Sequence, residues 1–162
     1  MATVFFDKEY AHFVKSLCEE KDEKTNKSLF ENNIDFMIFA AMVGKHFDSS
    51  IDEVKINQSN KSIPDRIFKN SDRQGMAYLL ALESTKSANI LKDDQDSELE
   101  CWKHIERYAY LGCEKITEWL ADRPKDNFFD IILDQVMEVA ATNIELEQDE
   151  LSQVSSEKDI KF

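Results

Sequence analysis

The sequence predicts an all-α fold, a compact single-domain bundle of five to seven helices around a buried central helix at residues 34–44. Three observations carry this reading. The segment Ile34 to Gly44 is uncharged except for Asp35, inside a chain of net charge −13. A helix without a continuous polar face has to be surrounded by other elements. Only three Gly and two Pro stand among 162 residues, too few for the tight turns of a sheet protein. Finally, Leu99, Trp102, Ile105, Ala109, Gly112, Ile116 and Trp119 recur at steps of three and four through more than five helical turns.

Taken in chain order, Val4-Phe5-Phe6 is a short apolar lead and Asp7 the N-cap of a first helix. Tyr10, Phe13, Val14, Leu17 and Cys18 form its stripe, and the polar stretch Glu19 to Lys27 ends it. Asn32 or Asn33 caps the apolar helix, and Gly44 is placed to stop it. At eleven residues this block is too short to cross a bilayer, which takes about 20. Residues 48–62 are polar with isolated Ile51, Val54 and Ile56, either a loop or a short irregular pair of strands; a hairpin there would soften the class to mainly α. Pro64-Asp65-Arg66-Ile67-Phe68 suits the first turn of a short helix. Ser71 or Asp72 caps the next, from which Met76, Tyr78, Leu79, Leu80 and Leu82 are expected to pack inward. Asp96 and Glu98 open the long helix at the end its dipole makes favourable for acids. Gly112 is a place for a kink or a close backbone approach, and Arg123-Pro124 closes the helix. A last helix from about Asp126 carries Phe128, Phe129, Ile132, Leu133, Val136, Met137 and Ala140. Residues 1–150 thus form one helical domain, and 151–162 a frayed acidic tail.

Composition narrows the function classes. Thirty-three acidic against twenty basic residues repel free nucleic acid unless positive charge is concentrated locally. The same surplus suits solubility or docking on basic partners. Three cysteines, Cys18, Cys101 and Cys113, cannot all pair, which reads as a reduced, cytoplasmic protein. The N-terminus has no basic n-region followed by a long apolar run, so no signal peptide is expected.

No motif assembles a chemistry. Asp94-Gln95-Asp96-Ser97-Glu98 imitates the start of an EF-hand loop, but Leu99 replaces the turn glycine and Ile105 the closing Glu. Cys101-x-x-His104 is half a zinc site, with Cys113 further along and no second pair at ligand spacing. A Cys-His nucleophile pair lacks an orienting partner. Pro64-Asp65 with Glu98-Leu99-Glu100 loosely matches a metal-dependent nuclease core but lacks its lysine, and Val43-Gly44-Lys45 lacks the phosphate-loop glycine. His12, His46 and His104 lie far apart. We therefore expect no catalytic residues, no metal and no cofactor. One local reversal of charge remains: Lys61, Arg66, Lys69 and Arg73 fall within thirteen residues that hold only Asp65 and Asp72 as acids. These four are the candidate nucleic-acid or partner-binding residues.

Three stretches carry a family resemblance: Phe39-Ala40-Ala41-Met42-Val43-Gly44, Ile67-Phe68 with Tyr78-Leu79-Leu80-Ala81-Leu82, and Glu106-Arg107-Tyr108-Ala109-Tyr110-Leu111-Gly112. In this order and spacing, over roughly residues 30–120, the chain resembles the small accessory proteins of bacterial Dnd systems, which place and police phosphorothioate sulfur in the DNA backbone. The resemblance implies a non-enzymatic accessory subunit of a DNA-modification or restriction defence system, with that system's proteins as partners. The acidic balance leaves a second expectation, a DNA mimic that blocks a nuclease or another DNA-binding protein. Its carboxylates, Asp93 to Glu100 or Glu145 to Glu150, would have to share one face.

Overall fold

The computed structural model describes residues 3–21, 25–47, 50–69, 73–123 and 127–157, with side chains as far as Thr142. Two compact units divide the chain between Glu118 and Trp119. Among the described residues there are six α-helices, within the expected range, and one antiparallel pair of strands. The class is therefore mainly α rather than all-α.

The first unit opens on strand β1 (Thr3–Asp7), where a helix cap is expected at Asp7. It pairs with β2 (Gln58–Pro64), with Val4 opposite Ile63 and Phe5 opposite Ser62. The apolar lead is an alternating strand, with Val4 and Phe6 buried and Phe5 less so. Region 48–62 thus supplies a strand to a distant partner rather than a local hairpin; Asp48 and Ser49 lie outside the described residues. Asp7 does not cap a helix: its Oδ2 accepts the Asn57 N–H at 2.7 Å and its Oδ1 the Glu9 N–H at 2.8 Å. These bonds turn the chain at the strand end and satisfy a buried carboxylate. The Phe5 N–H on the strand donates to Glu106 Oε1 at 2.7 Å.

Helix α1 (Ala11–Val14) runs into a π-turn at Lys15–Glu19. The predicted stripe is kept, with Tyr10, Phe13, Val14 and Leu17 buried and Cys18 half-buried. Helix α2 (Asn33–Phe47) is the central strut: Ile34, Phe36, Met37, Ile38, Ala40, Ala41, Val43 and Gly44 are all buried. Asn32 caps it, its Oδ1 accepting the Asp35 N–H at 3.0 Å. Phe36 is the aromatic centre, with the Phe6, Phe30 and Phe13 rings at 5.7, 5.5 and 6.3 Å.

Gly44 does not end α2, which continues to Phe47. Its missing side chain serves packing instead. Helix α5 (Gln95–Asp122) crosses α2 there. A Cβ on Gly44 would overlap the Tyr108 carbonyl oxygen and lie 2.8 Å from Gly112 N; one on Gly112 would overlap the Ala40 carbonyl oxygen and lie 2.6 Å from its carbon. The close-approach expectation at Gly112 is met.

Pro64 closes β2, and the short α3 (Asp65–Lys69) begins one residue later than the proline suggests. Asn70, Ser71 and Asp72, including both expected caps of the next helix, lie outside the described residues. In α4 (Gln74–Thr85) the buried positions are Ala77 and Ala81, whereas Leu79 is exposed. The inward face follows the i, i+4 spacing, and two alanines let α4 approach α2. A 3-10 turn at Ala88–Leu91 precedes α5. Asp94 caps α5 by accepting the Ser97 N–H at 2.8 Å, which holds its carboxyl below the usual range. Within this unit Trp102, Ile105, Ala109 and Ile116 are buried as expected, and Leu99 is exposed.

The second unit holds the end of α5 and α6 (Phe128–Glu157). Asn127 Oδ1 accepts the Phe129 N–H at 2.8 Å, and Arg123 pairs with Asp134 at 2.7 Å. Pro124 and Asp126 lie outside the described residues. The expected apolar stripe divides: Ile132 is buried with Ile131, whereas Leu133, Val136 and Met137 are exposed. The backbone is helical through Glu157, and 158–162 of the expected tail lie outside the described residues.

Candidate functional site

A cleft of about 780 Å³ opens in the first unit between the start of α2, β2 and α3. The strand pairing brings these elements together, and two of the four candidate cations, Arg66 and Arg73, line it with Glu19, Glu31 and Ile67. Arg73 Nε donates to Asp35 Oδ1 at 2.6 Å. Arg66 is exposed on α3 and makes no ion pair among the described residues. The cleft lining thus sets Glu19 and Glu31 against Arg66 and Arg73.

Lys61 borders a second cleft of about 530 Å³, which shares Glu19 with the first. Its Nζ pairs with Glu19 Oε1 at 2.7 Å. Lys8, His12 and Lys15 line the same cleft. Sequence reasoning missed this grouping because only the pairing of β1 with β2 carries Lys8 to Lys61. Lys69 faces elsewhere, pairing with Glu98 at 2.6 Å and Asp65 at 3.7 Å. The hydrogen bond to Glu98 raises its pKa. The four residues thus form no continuous positive strip, and carboxylates hold three of them. Solvent screens exposed pairs of this kind, so each is weak.

Of the sulfur and imidazole candidates, Cys18 lines the first cleft and His12 the second, and His46 is exposed on α2. Cys101, His104 and Cys113 are buried on α5. Burial pushes the Cys101 thiol up to about 12 and the Cys113 thiol higher still, and it lowers the His104 pKa. Cys18, at the rim of the first cleft, is pushed up to about 11 by burial and by nearby Glu19 and Asp35. A measurable consequence follows for Ellman's reagent at neutral pH. We expect native protein to react slowly at Cys18 and roughly a hundredfold more slowly at Cys101 and Cys113, with all three reacting after denaturation. Rapid native labelling of Cys101 would refute this environment. Among the described residues no group of three or more His, Cys, Asp or Glu side chains is placed to hold a metal ion. No described helix is long and apolar enough to cross a membrane.

A family model described as DNA sulphur modification system-associated protein 4 matches residues 4–154. No curated protein and no solved structure matches the chain.

Proposed function

This chain belongs to the family of DNA sulphur modification system-associated protein 4, and from that membership we propose that it is a non-enzymatic accessory subunit working through protein contacts. Its partners are modification or restriction proteins of the same system in the cytoplasm. Beyond membership, one observation carries the reading. The most basic stretch of the chain is held largely by the protein's own carboxylates, through Lys61–Glu19, Lys69–Glu98 and Arg73–Asp35. Against this the chain as a whole carries a net charge of −13. Such a surface complements basic proteins that handle DNA better than it complements DNA itself.

Affinity purification of the tagged chain from its native host, at native salt, tests this reading. Components of the sulphur-modification system are expected in the eluate; recovery of the chain alone would count decisively against it. Added DNA should leave the recovered complex intact. If DNA and the chain displace one another from the partner in a salt-sensitive manner, the chain acts as a DNA mimic instead.

A further inference from the structure

Helix α6 presents apolar side chains to solvent in a pattern that single surface residues do not produce. Leu133 is 59% and Met137 63% exposed, with Val136 and Ala140 exposed on the same helix. Isolated exposed apolar residues need no explanation, but a contiguous row on one helix face marks a contact surface. Leu133, Met137 and Ala140 stand four and then three residues apart. The sequence continues this alternation at Ile144, Glu147, Leu151 and Val154, along a helix that runs unbroken to Glu157. Alternating steps of four and three are the a and d positions of a helix-on-helix seam.

Charge identifies the occupant. From Phe128 to Glu157 the sequence holds eight acidic residues and no Lys or Arg. By heptad position Asp130 and Glu147 fall on the seam and Asp134 (paired with Arg123), Glu150 and Glu157 beside it, so a second copy of α6 would bring like charges together, whereas a basic helix would find complementary charge. We propose that the Leu133–Met137–Ala140 face of α6 docks a basic amphipathic helix of a protein partner. The inference rests on the reading that this chain works through protein contacts, and it names the surface and the partner's chemistry.

The probe is a labelled three-heptad peptide with Leu at a and d and Lys at e and g. Its control carries Glu at e and g. Binding to the full chain is read by fluorescence anisotropy at about 0.15 M salt. The Lys peptide is expected to bind one to one and the Glu peptide not at all. Leu133→Ser with Met137→Ser should weaken the Lys peptide by roughly tenfold or more, with an unchanged circular dichroism spectrum because both positions are exposed. Equal affinity for the parent and the double variant would overturn the proposal, since attraction would then be diffuse charge alone. So would a parent chain that sediments as a dimer and a double variant that sediments as a monomer, which would give the face to a second copy. The host purification separates the two levels. If the double variant recovers system components as well as the parent, this surface is wrong and the accessory role stands. If the parent recovers none, the accessory role fails whatever the peptide does.

Discussion

Replacing Gly112 by alanine is expected to destabilise the protein by about 3 kcal/mol or more, although the same change in an ordinary helix interior stabilises by about 1 kcal/mol. The sign is decided by what the new methyl group meets. It would overlap the Ala40 carbonyl oxygen and sit 2.6 Å from the Ala40 carbon and 3.0 Å from Gly44 N. All three are backbone atoms, so no rotamer relieves the clash and α2 and α5 would have to separate at the centre of the core. Gly44→Ala meets Gly112 N at 2.8 Å and the Tyr108 carbonyl and should behave alike. Gly75→Ala is the internal control, because nothing lies within 4 Å of a Cβ there; it should be neutral or slightly stabilising. Thermal melting followed by circular dichroism reads all three. At about 2–4 °C per kcal/mol for a chain of this size, Gly112→Ala should lower Tm by roughly 6–12 °C. A Tm within about 2 °C of the parent would mean that the two helices do not cross at these glycines.

The second large effect concerns Glu106. Burial raises its carboxyl to about 7 from the usual 4.5, opposed by the Phe5 N–H and then by Arg107 and Lys103. The folded state therefore holds this proton more tightly than the unfolded chain does. The associated stability is fully present below about pH 4.5 and lost as pH rises through about 7. The window runs opposite to ordinary acid denaturation. Asp94 and Glu100, whose carboxyls are held low, contribute in the usual direction. The clean measurement is therefore the difference between parent and Glu106→Gln. An amide oxygen still accepts from Phe5 and carries no charge to bury. The variant should match the parent near pH 4 and exceed it above pH 7 by on the order of 2–3 kcal/mol. Identical profiles would show that the carboxyl is solvated, and a variant less stable at pH 8 would show that the charged carboxylate's bond from Phe5 outweighs its burial.

The parts of the fold that were legible are those whose signal is local and periodic. The block at residues 34–44 has no polar face, so α2 could only be central. The spacing from Trp102 to Ile116 could only be one buried helix face. What escaped depends on partners far along the chain. Val4-Phe5-Phe6 is too short to declare itself a strand, and its complement at Gln58–Pro64 is polar on one side. Gly44 looks like a helix stop because glycine is common there, whereas a lateral crossing leaves no trace in spacing. In α4 the bulky leucines suggested an inner face that the small Ala77 and Ala81 occupy. The candidate cations were equally visible and equally incomplete, since Glu19, Asp35 and Glu98, which hold three of them, lie outside their stretch.

The dependence of β1 on distant residues also sets an order of events during synthesis. Val4 and Phe6 are buried only when β1 has its partner strand, and the Phe5 N–H finds its acceptor at Glu106, 101 residues later. At a typical ribosomal pace of about 5–20 residues per second, that acceptor appears on the order of 5–20 s after the strand. Phe36 and β2 are made within that interval and can cover Phe6 and Val4, but the Phe5 N–H stays without its acceptor until Glu106 is made. β1 is thus made before the residues that complete it, and its last bond closes late.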